Sequence, residues 1–277
     1  MLRVTGFGQY GPYAGQPGYG SVGEAMGGLR YVVGDPSTPP SRIGNSIGDT
    51  LAATFACVGA LTALHARERT GRGQVVDSAI YEAVLGVMES LIPEYAITGY
   101  VRERTASIIP NVAPSNVHPS KDGQNVLLAA NQDTVFGRLA TAMGQPELAA
   151  DERYSTHTAR GVRQQELDDL IGEWTSQYTS AELRKILVEH AIPTGPIYRA
   201  PEMLDDAHFA ARNAIITMTH PEFGELPMQN VAPKLSDTPG EVRWVGPELG
   251  QHTREVLADV LGKSDDEIDS LAEAGII

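Results

Sequence analysis

The residues from Asp49 to Arg67 constrain the fold most strongly. Leu51, Phe55, Val58, Leu61 and Leu64 recur at helical spacing, and Ala, Gly and Cys fill most positions between them. A helix with so little bulk lets neighbours approach on most sides, so it is expected as a buried element of a layered fold. Asp49 opens it, and no charged side chain follows before His65. One carboxylate is thereby presented at the mouth of a buried element. Two roles suit it. Asp is a favoured helix N-cap. A carboxylate among the free N–H groups of a helix start is also placed to act as a nucleophile. On the residues alone the cap is the commoner role, and the two are compatible.

The rest of the chain alternates strands and helices, which predicts an α/β fold. Leu2-Arg-Val-Thr-Gly6 looks like the end of a strand entering a Gly-rich loop, and a helix is expected over Val22–Leu29. Thr70-Gly-Arg-Gly-Gln74 is a turn that ends the Asp49 helix, Val75–Asp77 a short strand, and Ser78–Gly99 a second apolar helix with Pro93 as its kink or stop. Val101–Pro119, with charges at Arg102, Glu103 and Arg104 and then Pro110, Pro114 and Pro119, reads as a linker. A compact unit is expected after it: a strand at Gln124–Ala130, helices at Thr134–Met143, Arg163–Tyr178 and Ser180–His190, then a short strand at Thr194–Arg199. Pro221-Glu-Phe-Gly224 between two β-rich runs signals a hairpin. Helices at Arg254–Leu261 and Ser264–Ala274 close the chain.

Gly6-Phe-Gly-Gln-Tyr-Gly11 matches the pattern G-x-G-x-x-G but fails as a dinucleotide fingerprint. Pro12 follows at once, so no helix opens there to meet a pyrophosphate. A loop needing positive φ and close backbone approach explains the glycines, and such a loop can still touch a ligand. The N–H groups of Gly8 or Gly48 are candidates for stabilising an oxyanion near Asp49. None of the seven histidines pairs with another at metal-ligand spacing, and there is no Gly-x-Ser-x-Gly elbow for a hydrolase. Cys57, surrounded by Ala, Phe and Val, is expected to be buried and inert. Arg67, Arg69 and Arg72 complement a helix C-terminus, or contact phosphates of a nucleotide-bearing ligand.

Charge and composition narrow the partners. The 277 residues carry a net charge of -14 with no basic patch, which argues against nucleic acid. The longest apolar run, Leu51–Leu64, falls short of the roughly 18 residues of a membrane span. No secretory pattern opens the sequence and the single cysteine excludes an intramolecular disulfide, so a cytoplasmic location is expected.

Several markers, in this order, resemble the family III CoA-transferases: Gly6-Phe-Gly-Gln9 with Gly11-Pro12, Pro17-Gly-Tyr19, Glu24-Ala-Met-Gly-Gly28, Gly48-Asp49, Arg69-Thr-Gly-Arg-Gly-Gln74, Pro193-Thr-Gly-Pro196 and Leu249-Gly-Gln-His-Thr253. The resemblance implies that Asp49 is the nucleophile, carrying first acyl and then CoA as covalent intermediates. It implies transfer of CoA from an acyl-CoA to a free carboxylate, with the thioester as substrate and no metal or redox cofactor. The candidate substrate or CoA contacts are Gly6, Phe7, Gly8, Gln9, Tyr19 and Arg72. The implied fold is an interlocked homodimer with a Rossmann-like large domain, incomplete here at its N-terminus, and a small α+β domain. On that plan residues 1–100 begin the large domain, 101–119 link, 120–206 form the small domain and 207–277 return to the large one. Family members carry a further N-terminal α/β region, so the chain is expected to be a fragment, a product of a mis-set start or one piece of a split enzyme.

Two alternatives stand beside transfer. The α-methylacyl-CoA racemases, of the same superfamily, pair the matching aspartate with a histidine in a Gly-His-Asp sequence. Here that place reads Gly18-Tyr19-Gly20, which removes one of the two bases and favours transfer. An inactive fragment or partner subunit that keeps the fold is the other. Among transferases the look is closest to members acting on C4–C5 dicarboxylates, with succinyl-CoA as the candidate donor.

Overall fold

The computed structural model describes residues 1–277, which divide into two compact units, Met1–Ile197 and Tyr198–Ile277. The α/β character expected is observed, built on three small sheets.

In the first unit β1 (Leu2–Thr5) pairs in parallel with β2 (Val76–Ala79), from Leu2 opposite Val76 to Thr5 opposite Ala79. A parallel pair requires a long crossover. It contains α1 (Gly20–Met26), α2 (Leu29–Val32) and α3 (Ile47–Thr70). Beyond β2 come α4 (Ile80–Leu85) and α5 (Leu91–Thr98). The Ser78 hydroxyl donates to the Ala52 carbonyl at 3.0 Å, tying β2 to α3. Glycines set the spacing of α1 and α4. A Cβ on Gly23 would lie 2.9 Å from Ile80 Cβ, and one on Gly27 would lie 2.6 Å from Val84 Cβ. The branched side chains of α4 therefore occupy space that any other residue on α1 would fill.

Helix α3 departs from expectation in four ways. It runs from Ile47 to Thr70, not from Asp49 to Arg67, and ends at Gly71 with φ +71°. Its 24 residues are long and apolar enough to cross a membrane by length and composition, which the run Leu51–Leu64 understated. Its buried residues are Gly48, Ala52 and Ala56, the small ones, while Phe55, Val58, Leu61 and Leu64 are exposed. Small residues spaced four apart form the one stripe against which neighbouring backbone can pack closely. Cys57 lies off that stripe and is exposed, contrary to the burial expected of it.

The apolar helix expected over Ser78–Gly99 is instead the end of β2 and two helices. They part at Gly86–Ser90, where Glu89 takes a φ of 54°. Pro93 is the third residue of α5, where no intrahelical donor is needed, so it neither kinks nor stops a helix.

The same unit contains an antiparallel sheet in the order β3–β4–β5, from β3 (Ser115–Pro119), β4 (Asn125–Ala129) and β5 (Thr194–Pro196). Helices α6 (Asp133–Ala142), α7 (His157–Val162), α8 (Gln164–Thr175) and α9 (Ser180–Glu189) complete this part. Val126 and Leu128 alternate inward from β4 onto Phe136, Leu139, Leu167 and Ile171. A capping box between Thr179 and Glu182 starts α9.

Two of the buried polar groups in this body, Arg160 and His118, bear on its stability. Arg160, fully buried, donates to the carbonyls of Ala113 at 3.2 Å, Tyr154 at 2.8 Å and Asn131 at 2.8 Å, and to the Asp133 carboxylate at 2.7 Å. His118, on β3, is 2 % exposed with its Nε2 unpartnered, and burial pushes its imidazole down to about 4. An unfolded chain therefore takes up a proton on this histidine near pH 6.5 that the folded chain refuses. The contribution to stability falls as pH drops from 6.5 to about 4, by up to about 3 kcal/mol. Burial raises the Asp168 carboxyl, which acts in the opposite sense. Urea unfolding at pH 7 and pH 4.5 is expected to show a smaller acid loss in His118→Gln than in the parent. An equal loss in both would remove His118 as the cause.

The second unit opens with α10 (Ala200–Asp205) and α11 (Ala207–Ala211). The hairpin expected around Pro221–Gly224 is present as β6 (Ile215–His220) paired with β7 (Gly224–Gln229). Where an amphipathic helix was predicted at Arg254–Leu261, α12 (Thr253–Glu255) runs into a π-helical turn at Val256–Val260. The last helix, α13 (Asp265–Glu273), is capped by Ser264 with Glu267.

Candidate active site

The loop after β1 is fixed by three hydrogen bonds. Gly8 N–H donates to the Thr5 hydroxyl at 2.9 Å, Gln9 N–H to Asp77 on β2 at 2.9 Å, and the Arg3 guanidinium to the Gln9 side-chain carbonyl at 2.7 Å. Gly8 has φ +86°, the left-handed conformation that a tight turn into such a loop requires. No helix follows this glycine motif directly; α1 begins only at Gly20.

Close backbone approach then carries the loop to α1. A Cβ on Gly6 would lie 3.0 Å from Gly18 Cα, and one on Gly18 would lie 2.9 Å from the Phe7 ring. Phe7 in turn meets Tyr13 edge to face, with centroids 5.9 Å apart. Tyr19 precedes α1 and is 80 % exposed. Gly20, the first residue of α1, is buried, and its Cα faces the Asp49 carboxylate: a Cβ there would lie 2.7 Å from Asp49 Cγ.

Asp49 is the third residue of α3, not its cap; Ser46 holds the cap position without a side-chain hydrogen bond. The carboxylate is exposed and lies in the first turn, where the N–H groups have no intrahelical acceptor and the helix dipole favours negative charge. Of the two N–H groups considered for an oxyanion, that of Gly8 is taken by Thr5. The donors left for such a role are those of the α3 first turn.

The structure thus packs Gly6 and Phe7 against Gly18, two residues before the Gly20 that meets Asp49, ties Gly8 and Gln9 to Thr5 and Asp77, and leaves Tyr19 exposed at the start of α1. Arg72 is not among them. It follows the C-terminal end of α3, about 30 Å along the axis from Asp49 at 1.5 Å per residue. Asp77 and Gly20 were not singled out as site residues from sequence. Asp77 ends a run, Val75-Val-Asp77, that gives no sign of reaching back to Gln9.

Gly20 yields a direct test. Alanine is the better helix former, so Gly20→Ala should change stability by less than about 1 kcal/mol. Its methyl group would drive the exposed Asp49 carboxylate from its place, and turnover is expected to fall about 100-fold, as for a misplacement near 1 Å. Steady-state kinetics beside thermal unfolding read both. Unchanged turnover would show that the observed carboxylate position is not needed.

Known proteins match the chain along its length. The sequence pattern described as CoA-transferase family III matches residues 1–253. Succinyl-CoA--D-citramalate CoA-transferase of Chloroflexus aurantiacus is 58 % identical over 277 residues, all of this chain and 69 % of that protein. The succinyl-CoA--L-malate CoA-transferase beta subunit of the same organism is 39 % identical over 280 residues, again covering all of this chain and 69 % of that protein. The crystal structure of a CAIB/BAIF family protein from Brucella suis superposes with a TM-score of 0.77 at 30 % identity, over 94 % of this chain and 67 % of that one.

Proposed function

The chain belongs to CoA-transferase family III and is a CoA-transferase, and from that premise we propose that Asp49 is its nucleophile, with succinyl-CoA as donor and a C4–C5 dicarboxylate such as citramalate as acceptor. The carboxylate attacks the thioester carbonyl, forming an acyl–aspartyl anhydride and releasing CoA thiolate. The thiolate attacks the aspartyl carbonyl of that anhydride, which frees the donor acid and leaves an aspartyl-CoA thioester. The acceptor carboxylate displaces CoA to form a second anhydride. CoA then attacks its acyl carbonyl and restores Asp49. The thioester supplies the activation throughout, so the chemistry calls for no metal or redox cofactor.

One observation carries this assignment. Asp49 presents an exposed carboxylate in the first turn of α3, seated against the buried Gly20 that opens α1. The 58 % identity to a citramalate enzyme supports the choice of acceptor. In this scheme the Gly6–Gln9 loop and Tyr19 contact the acyl-CoA, and the working form is a cytoplasmic homodimer. A racemase would need a second base, and Tyr19 stands where its histidine would be.

The test is to incubate the protein with succinyl-CoA and hydroxylamine and map the peptides by mass. A hydroxamate on the peptide containing Asp49 is the expected result. A hydroxamate on another carboxylate, or none while CoA is transferred, would overturn the assignment.

A further inference from the structure

Glu24 is a buried carboxylate to which the chemistry above assigns nothing. It is 2 % exposed, and its Oε1 has no hydrogen-bond partner. Its other oxygen lies 3.8 Å from the Arg30 guanidinium, whose Nε is also buried without a partner. A carboxylate this buried and this poorly paired is costly to a fold. Its location gives a reason for keeping it. Glu24 lies one turn beyond Gly20 on α1 and shares its face. A Cβ on Gly48, the residue before Asp49, would lie 3.2 Å from Glu24 Cγ, 3.0 Å from the Gly20 carbonyl oxygen and 3.2 Å from an Ile80 methyl. The stem of Glu24 is thus wedged behind the first turn of α3, while Gly20 meets the carboxylate from the front.

We propose that Glu24 is a positioning residue for Asp49, acting by wedging the Gly48 backbone between α1 and α4 so that the first turn of α3 holds the nucleophile against Gly20. This rests on the assignment of Asp49 made above. The wedge is a matter of shape, so Glu24→Gln, which keeps the stem, should behave much like the parent, whereas Glu24→Ala should not.

Two measurements on the full chain test it. The first is amide hydrogen exchange by mass spectrometry. In Glu24→Ala, exchange across residues 50–53, the first amides of α3 with acceptors inside the helix start, should quicken by about tenfold or more, with α9 unchanged and Glu24→Gln near the parent. The second is kinetic. In Glu24→Ala, kcat should drop by about tenfold or more while KM for the acyl-CoA stays within about twofold, and Glu24→Gln should restore kcat. Unchanged exchange at 50–53 in Glu24→Ala overturns the proposal, as does a loss equal in both variants, which would make the charge facing Arg30 the operative feature. If the parent gives no hydroxamate at Asp49, the assignment of the nucleophile fails, and the exchange measurement still decides whether Glu24 orders the α3 start.

Discussion

Asp49→Ala is expected to abolish CoA transfer, lowering kcat by about 10⁴-fold or more, because every covalent step of the proposed mechanism runs through that carboxylate. The fold should survive. Asp49 accepts no side-chain cap bond and is exposed, so its removal costs only its favourable charge at a helix start, about 0.3–1 kcal/mol. Asp49→Asn is the sharper variant. It keeps the shape against Gly20 and still lacks the nucleophilic oxygen, so it should be as inactive as alanine. A direct assay of acyl-CoA product, with circular dichroism to check folding, reads both. Full turnover in either variant would refute Asp49 as the nucleophile and require another carboxylate to carry the intermediates.

Arg160→Met is expected to have the largest effect on stability. Methionine roughly fills the space and leaves the carbonyls of Ala113 and Tyr154 without their side-chain donor, while that of Asn131 keeps His157 Nδ1 at 3.0 Å. Buried acceptors left unsatisfied cost about 1–3 kcal/mol each, and partial relaxation should bring the sum to about 3–5 kcal/mol. The contact of the guanidinium with the Phe136 ring, 4.7 Å from its centroid, is lost as well. The Asp133 carboxylate is mostly exposed and can turn to water, so it adds little. A drop of about 10 °C in the unfolding midpoint is the expected readout. A drop of only a degree or two would mean that water replaces the guanidinium and that the three segments do not depend on it.

Most of the sheet-and-helix order was legible because its signals are local, although β3 (Ser115–Pro119) lies within the stretch read as a linker. Strand alternation at Val126 and Leu128, the Pro221–Gly224 turn and the capping pairs at Thr179 and Ser264 each act within a few residues. What stayed hidden depends on which elements come close. The periodicity of α3 points to its leucines as the buried face, yet neighbours pack on Gly48, Ala52 and Ala56, and the leucines and Cys57 lie outside. The break between α4 and α5 rests on a backbone turn at Glu89 that its side chain does not announce. Asp49 could be picked out from its isolation on an apolar stretch. Its seat against Gly20 could not, because that contact joins the starts of two helices with no pattern linking them. Glu24 and Arg160 are missed for the same reason: a charged residue within a helix reads as surface until its neighbours are known.

The contact between Gly20 and Asp49 also bears on whether this scaffold could be re-engineered into a racemase. Grafting the sequence Gly-His-Asp onto positions 18–20 puts a side chain where the Asp49 carboxylate now rests. The graft would install the missing base and require the Asp49 carboxylate to leave the position it holds here, as it must in racemases that carry both residues. Tyr19→His with Gly20 retained adds the histidine while leaving the Asp49 carboxylate where it rests, so the junction between Gly20 and Asp49 decides how the second base would meet the first.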